Sequence, residues 1–207
     1  MNNSILLFDF DGTIADTYLY MCEISNRICG EFGYSRIQPS DVAFLKAKTS
    51  KEVIRYLKVP MLKIPAIVAR AKREYQKDVG SIKIVDGLKD SLKNLKSRGV
   101  RMGVVSSNSR ENVLQVLKTH GLDIFEFIHS TSRIWGKNIA LQSLIRQHQL
   151  STAEVVYIGD EVRDIVAAKR LGIKVAAVTW GYNSRDVLVA HQPDFLLEKP
   201  QDLLKIV

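Results

Sequence analysis

The spacing of hydrophobic positions changes twice along the chain. Residues 5–10 form a short apolar run that ends in acidic residues and glycine, which is typical of a strand buried on both faces of a sheet. From Thr17 to about Val79, apolar residues recur at helical spacing and predict an all-helical stretch. Short apolar runs then alternate with helical patterns as far as residues 195–197. Because such alternation is typical of parallel sheets, we predict a sheet with helices on both faces.

The same pattern predicts where the elements lie. Thr49 followed by Glu52 predicts a capping box for the helix that carries Val53 and Leu57. In the helical stretch, the predicted helices cover 18–32, 42–45, 53–57 and 67–75. In the alternating part, the predicted helices cover 88–98, 110–120, 138–147 and 163–171, and the predicted strands cover 101–106, 127–129, 155–158, 174–178 and 195–197.

The change of pattern also predicts two domains. A chain of 207 residues can bury one good core and a small second one. The chain contains no flexible Gly/Ser linker, so a second domain has to be an insertion. We predict that residues 1–15 and 80–207 form a Rossmann-like, doubly wound α/β core, and that residues 16–79 form an inserted all-helical cap.

Polar residues end several predicted strands, at the edge where an open parallel sheet binds its ligands. Residues 9–13 (DFDGT) follow the first strand, residues 106–108 (SSN) end the second, and residues 159–160 (GD) end the fourth. Lys137 opens the helix after the third strand, and Asp164 lies four residues after Asp160. These residues are therefore expected to meet at one edge of the sheet.

Carboxylates dominate this set. Asp9 and Asp11 are two residues apart, so on a strand their side chains project to the same side, about 6 to 7 Å apart. Asp160 arrives from a neighbouring strand, and carboxylates that converge raise one another's pKa unless a cation lies among them. Hard oxygen ligands without His or Cys indicate Mg²⁺. With Lys137 and Ser106 nearby, the pocket suits a phosphoryl group, which Asp9 can attack while Asp11 acts as acid and then base.

Together, these residues resemble the four motifs of the haloacid dehalogenase (HAD) superfamily, and the resemblance covers essentially the whole chain. The helical insert resembles the small helical (C1-type) cap of phosphoglycolate phosphatase-like members. The resemblance implies a phosphoric monoester hydrolase that acts on a small phosphorylated metabolite through an aspartyl-phosphate at Asp9. An aspartate two residues after the nucleophile, here Asp11, separates the phosphatases of that superfamily from its dehalogenases.

The resemblance also implies a ligand set for Mg²⁺. Asp9, the main-chain oxygen of Asp11 and the carboxylate of Asp160 would hold the ion. Asp164 would either lie behind these ligands or bind the ion through a water molecule, and it would also orient the loop.

Phosphate binding is implied for Ser106 and Lys137, with Ser107 beside them. Two positions depart from the pattern of the superfamily: Asn138 follows Lys137 where many members have Pro, and Ser107 stands where Asn is frequent. Arg133 is the nearby cation that would replace Lys137 if the alignment shifted.

Charge and composition do not identify a single class of partner. The net charge of +8 favours anionic partners, but the basic residues are spread along helices. Lys46 and Lys48 in the cap are candidates for contacts to a second anionic group of the substrate, or they are solvated charges.

No apolar run approaches the ~20 residues that cross a bilayer, and the start lacks the features of a secretory signal, so we expect a cytoplasmic protein without a membrane partner. A monomer and a homodimer both remain open.

Two alternatives to a phosphatase stay open. A phosphomutase of the same fold would return the phosphoryl group to a bound sugar phosphate. A regulatory or nucleic-acid-binding module is the alternative from another class, because the chain is basic and receiver domains also phosphorylate an aspartate at a sheet edge. No helix-turn-helix or dense basic stripe is evident, so no nucleic acid is expected.

Overall fold

A computed structural model of the protein describes residues 4–130 and 136–207, and it confirms the predicted α/β fold. The described residues form a six-stranded sheet in the order β3-β2-β1-β4-β5-β6, in which every neighbouring pair is parallel. This is the strand order of a Rossmann-like sheet. The strands are β1 (Ile5–Phe8), β2 (Arg101–Ser106), β3 (Phe127–Ser130), β4 (Val155–Gly159), β5 (Lys174–Val178) and β6 (Phe195–Leu197).

Helices cover both faces of this sheet and fill the segment between β1 and β2. The bounds of the predicted helices agree with the structure to within a few residues. The helices are α1 (Tyr18–Phe32), α2 (Val42–Lys46), α3 (Ser50–Tyr56), α4 (Ile64–Lys77), α5 (Leu88–Ser97), α6 (Arg110–Thr119), α7 (Lys137–Gln147), α8 (Val162–Arg170) and α9 (Arg185–Ala190), with 3₁₀ turns at Pro39–Asp41, Met61–Lys63, Val79–Ser81 and Pro200–Lys205.

The central strand is buried on both faces, as its apolar run predicts. Leu6 and Phe8 pack into one hydrophobic cluster, and Ile5 and Leu7 pack into a second cluster on the opposite face. The chain runs from β1 outward to β3 and then returns to β4 on the other side of β1. The gap between β1 and β4 is therefore the switch point where open α/β sheets bind ligands.

The first strand is shorter than the predicted run of residues 5–10. The strand ends at Phe8, and the Asp9 N–H makes one more bond to the carbonyl of Ile158, at 2.8 Å. The carbonyl of Phe10 accepts from the N–H groups of Ile14 and Ala15 at 2.8 and 2.9 Å, and so closes a turn instead of pairing with a strand. This turn carries the DFDGT residues out of the sheet.

The insert contains a small core of its own. Among the described residues, the segment between β1 and β2 contains helices and turns but no strand. The members of its separate apolar cluster are Ile28, Cys29, Tyr34, Ile37, Leu45 and Leu57. This cluster supports the division into a core and a cap at residues 16 and 79, which stays a prediction. The predicted capping box of Thr49 and Glu52 is confirmed at the start of α3. None of the described helices has the length and apolarity needed to span a membrane.

Candidate active site

Three buried carboxylates meet at the switch point between β1 and β4. Asp9 follows β1, Asp160 follows β4, and Asp164 lies in the first turn of α8. One carboxylate oxygen of each lies within 4.8 Å of the others. The pairing of Phe8 with Ile158 brings the ends of the two strands to the same level. The sequence prediction that Asp9 and Asp160 converge is therefore matched by the geometry.

Lys137 is the cation of this cluster. It is the first residue of α7, and its buried ammonium donates to the carboxylates of both Asp9 and Asp164. Burial by itself lowers the pKa of Lys137, but the charges of Asp164 and Asp9 outweigh it and the pKa lies above its usual value. Lys137 therefore carries its charge. Arg133, the alternative cation, lies outside the described residues.

Asp160 is fixed by two hydrogen bonds. Its Oδ1 accepts from the Thr13 hydroxyl at 2.7 Å, and its Oδ2 accepts from the Tyr182 N–H at 2.8 Å. Gly181 makes this approach possible, because a Cβ there would lie 2.3 Å from the Cβ of Asp160. The segment after β5 therefore forms a third side of the site.

Asp164 is held more by the backbone than by side chains. Its Oδ2 accepts from the N–H groups of Asp160 and Glu161, at 3.1 and 3.0 Å, and its Oδ1 accepts from Lys137. Both oxygens are thus occupied. The contacts fit the predicted role of Asp164 in orienting the loop that carries Asp160.

Asp11 lies apart from the three-carboxylate cluster and contacts both the core and the insert. Its Oδ2 accepts from the Asn108 amide at 3.1 Å, and its Oδ1 accepts from the Tyr75 hydroxyl of α4 at 3.2 Å. Burial raises the pKa of Asp11, and the hydrogen bond from Asn108 opposes that rise. A raised pKa favours the protonated carboxyl that a general acid needs.

The serines predicted to bind phosphate lie at the end of β2. Ser106 is buried, and its Oγ accepts from the Asn108 N–H at 2.9 Å, so the hydroxyl proton is left to donate to another group. Ser107 is partly exposed and lines a cavity of about 190 Å³ together with Asp11. The two hydroxyls therefore occupy different places: one is in the buried turn and the other faces the cavity.

The two cap lysines singled out from the sequence contact neighbouring groups of the protein. The Lys46 ammonium donates to the carbonyl of Gly181 at 2.7 Å and lies 4.6 Å from the centre of the Tyr18 ring. The Lys48 ammonium lies 4.9 Å from the centre of the Phe44 ring. Neither lysine lines the cavity beside Asp11.

Asp9 has the electrostatic features of a site that needs a cation. Burial raises the pKa of Asp9 to about 7, Lys137 opposes the rise, and the charge of Asp164 adds to it. Burial also raises the pKa of Asp160 well above its usual value. Three buried carboxylates with all-oxygen donors suit a hard divalent ion, which would favour their ionised forms. The residues present therefore fit Mg²⁺.

The sequence gives no specific role to several residues at the site. Asn108 is the last residue of the SSN run at the end of β2, and its amide contacts Asp11. It follows Ser107, which stands at the position where the superfamily often has Asn. Tyr75 and Tyr182 come from segments far away in the sequence, and only the three-dimensional packing brings them to the site. Arg163 precedes Asp164 directly, and the GD motif could have drawn attention to it.

Comparison with known proteins identifies the family. The family model for haloacid dehalogenase-like hydrolases matches residues 6–178. This chain belongs to that family. A phosphoglycolate phosphatase from Synechococcus elongatus is 36% identical over 203 residues, which are 98% of this chain and 96% of the relative. A pyrophosphatase PpaX from Anoxybacillus flavithermus is 26% identical and covers 100% of this chain and 98% of its own length.

Solved structures share the fold of this phosphatase. A haloacid dehalogenase-like hydrolase from Streptococcus pneumoniae superposes with a TM-score of 0.83, at 20% identity, over 99% of this chain and 98% of the other. A predicted phosphatase from Clostridium acetobutylicum gives a TM-score of 0.85, at 18% identity, over 100% and 98%. The expected enzyme class, a phosphatase of the HAD superfamily, and the resemblance to its phosphoglycolate phosphatase-like members are confirmed. The match favours an enzyme over the regulatory or nucleic-acid-binding alternative.

Proposed function

We propose that this phosphatase is Mg²⁺-dependent and hydrolyses a small phosphorylated metabolite, with phosphoglycolate as the first substrate to test, through an aspartyl-phosphate on Asp9. The observation that carries the proposal is the position of Asp9. Its buried carboxylate lies at the end of β1, within 4.8 Å of the carboxylates of Asp160 and Asp164, and contacts Lys137. The identity with a phosphoglycolate phosphatase over nearly the whole chain supports the choice of substrate.

The residues that would hold Mg²⁺ are Asp9, Asp160 and the main-chain oxygen of Asp11. Asp164 would orient them through its hydrogen bonds from Lys137 and from the backbone N–H groups of Asp160 and Glu161. The bound ion would neutralise charge on the phosphoryl oxygens.

The residues of the chain suit a two-step displacement. In the first step, an oxygen of Asp9 forms a bond to phosphorus while the bond to the leaving oxygen breaks, and Asp11 gives its proton to that oxygen. In the second step, Asp11 takes a proton from water, which attacks phosphorus and releases inorganic phosphate and free Asp9. The raised pKa of Asp11 supports its start as an acid. Asn108 and Tyr75 hold its carboxyl in place.

Ser106 and Lys137 are the groups of the core best placed to bind the phosphoryl oxygens. The Ser106 hydroxyl accepts one backbone hydrogen bond and retains its proton as a donor. The Lys137 ammonium already touches Asp9, so a phosphoryl group bonded to Asp9 would lie beside it. Ser107, at the edge of the cavity, is available to the same group from the other side.

The test is release of phosphate from 2-phosphoglycolate with Mg²⁺, with chelator, and in two variants. We expect chelator to stop the reaction, and Asp9→Asn to lower turnover by a factor of at least about 10³. Asp86→Asn is the matched control, because Asp86 is exposed and outside the site, and it should behave as wild type. Undiminished turnover in Asp9→Asn would refute the nucleophile. A sugar phosphate that is isomerised without release of phosphate would favour the phosphomutase.

A further inference from the structure

We propose that Lys72 of α4, with Arg163 of α8 opposite, binds an acidic group in the leaving part of the substrate. This inference rests on the proposed function and narrows its substrate class. The substrates would be small phosphate esters or anhydrides that carry a second anionic group close to the scissile bond.

The cavity beside Asp11 is where the leaving group has to lie, because a general acid must be within hydrogen-bond reach of the oxygen it protonates. Asp11 lines a cavity of about 190 Å³ between the core and the insert. At roughly 30 Å³ for each water in the liquid, this space equals about six water molecules. A leaving group of a few non-hydrogen atoms would fit in this space.

Lys72 lies on the face of α4 that closes this cavity. Val68, Ala71, Lys72 and Tyr75 follow the i, i+3, i+4, i+7 spacing of one helix face, and all four line the cavity. Lys72 is partly buried, yet its ammonium makes no hydrogen bond or ion pair with any residue that the structure describes. Lys77 of the same helix, in contrast, donates to Glu74 at 2.6 Å. An unpaired ammonium over a small cavity is a binding group for an anion.

Arg163 lines the same cavity and forms an ion pair with Glu161 there. One of its terminal nitrogens donates to Glu161, and its buried Nε has no partner within the described ranges. Glu161 also accepts from the Ser50 hydroxyl at 2.8 Å, so its carboxylate is already engaged. Of the acidic residues that line the cavity, Asp11 is the proposed acid and Glu161 is paired with Arg163. The charge of Lys72 is therefore left for a ligand.

Two small groups would satisfy this arrangement: the carboxylate of a phosphorylated hydroxy acid and the second phosphate of inorganic pyrophosphate. The experiment compares kcat and KM for 2-phosphoglycolate, pyrophosphate and ethyl phosphate, which lacks the second anion. We expect wild type to prefer at least one acidic substrate over ethyl phosphate. Lys72→Met should lower kcat/KM for that substrate about 10- to 100-fold, mainly through KM, and leave ethyl phosphate within about two-fold.

Two further variants keep the test specific. Lys72→Arg retains the charge and should restore most of the preference, while Arg73→Met removes an exposed charge from the outer side of the same helix and should change nothing. Calorimetry measures binding without turnover. Lys72→Met should weaken the binding of phosphonoacetate and leave the binding of methylphosphonate unchanged. The acidic substrate whose kcat/KM falls in Lys72→Met shows whether the anion that Lys72 binds is a carboxylate or a phosphate.

The outcomes separate this inference from the proposed function. A wild-type enzyme that hydrolyses all three compounds with no preference for the acidic ones overturns the inference and leaves the proposed function intact. Equal losses for all three substrates in Lys72→Met also overturn it, because they indicate a structural effect. No release of phosphate from any of the three by wild type with Mg²⁺ refutes both.

Discussion

The two sides of the active site are built in different ways: the core wall carries the strand-end carboxylates and Lys137, and the cap wall is the face of α4 that lines the cavity beside Asp11. The core wall is held by buried polar contacts, since Asp160 accepts two hydrogen bonds and Asp164 accepts three. Within the described part of the chain, the cap wall consists of apolar side chains, the unpaired Lys72 and one hydrogen bond to the core, from Tyr75 to Asp11. A wall fixed at many points suits chemistry that needs fixed geometry, and a lightly bonded wall suits a surface that admits and releases substrate.

The same contrast exists within the insert. The segment of residues 46–50 is tied to the core by several hydrogen bonds, among them Lys46 to the Gly181 carbonyl at 2.7 Å and Asn183 to the Lys48 carbonyl at 2.8 Å. The side of the insert formed by α4 reaches the core's acidic strand ends through the hydroxyl of Tyr75.

The largest effect is expected from the core wall, in Lys137→Met. This change leaves the buried carboxylates of Asp9 and Asp164 without their shared cation, so we expect turnover to fall by about 10²- to 10³-fold. Without Mg²⁺, the free energy of unfolding should fall by roughly 3–5 kcal/mol, and added Mg²⁺ should recover more of it than in wild type.

Urea unfolding with and without Mg²⁺ measures the stability effect of Lys137→Met, and phosphate release measures turnover. Lys93→Met, which removes an exposed charge on α5, is the control and should leave both unchanged. Wild-type turnover in Lys137→Met would show that the core wall does not depend on this cation.

Gly181→Ala is expected to have the next largest effect, because it disturbs the core wall without removing a charge. The new Cβ would lie 2.3 Å from the Asp160 Cβ, so the segment has to move and the hydrogen bond from the Tyr182 N–H is strained or lost. We expect the Mg²⁺ concentration for half-maximal activity to rise about 10- to 100-fold. Gly80→Ala is the control, since a Cβ there meets no atom within 4 Å. An unchanged Mg²⁺ requirement would contradict the role of this segment.

The core wall could be predicted from the sequence because parallel strands bring their carboxyl ends to one edge. Asp9 and Asp160 each follow a short apolar run, so identifying the strands was enough to place them together. Lys137 could be placed as well, because it opens the helix that follows the next strand. The helix α9 was missed, since it has six residues and buries only Leu188, which leaves no periodic pattern to detect.

The cap wall could not be predicted in the same way. The spacing of apolar residues in α4 predicts a helix with a buried face, but it does not say which part of the core that face covers. The sequence singles out Lys46 and Lys48 as contacts to a second anion or as solvated charges, and this stays a prediction. Of the described lysines, Lys72 lines the cavity beside Asp11. The side chain of a cap residue reaches the site only through the way the helices dock, and no local motif encodes that docking.

A smaller effect is expected in the cap wall from Tyr75→Phe. The change removes the hydroxyl that donates to Asp11 at 3.2 Å and keeps the ring that packs beside Tyr20. At about 0.5–1.5 kcal/mol for one hydrogen bond, we expect kcat to fall roughly 2- to 12-fold. The loss should be equal for acidic and neutral substrates, unlike the loss in Lys72→Met. Tyr56→Phe, at an exposed hydroxyl, is the control, and a loss confined to KM would contradict the role in positioning Asp11.

The smallest effect concerns the stability of the cap helix itself and its dependence on pH. Hydrogen bonds from Arg70 and then Lys77 lower the pKa of Glu74 to about 2, from an ordinary value of 4.5. A lowered pKa means that the folded state favours the ionised form, so this contribution to stability is complete above pH 4.5 and is lost as the pH falls towards 2. Wild type should therefore exceed Glu74→Gln in urea midpoint at pH 7, and the difference should narrow at pH 3.

Asp123→Asn is the control for this last comparison, because Asp123 is exposed, lies in a turn and makes no ion pair with the residues that the structure describes. Its difference from wild type should stay near zero at both pH values. A wild-type advantage over Glu74→Gln that is the same at pH 7 and pH 3 would show that Glu74 contributes through packing and not through its charge. The stability of α4 would then come from its apolar face alone, and its attachment to the core through Tyr75 would not depend on pH.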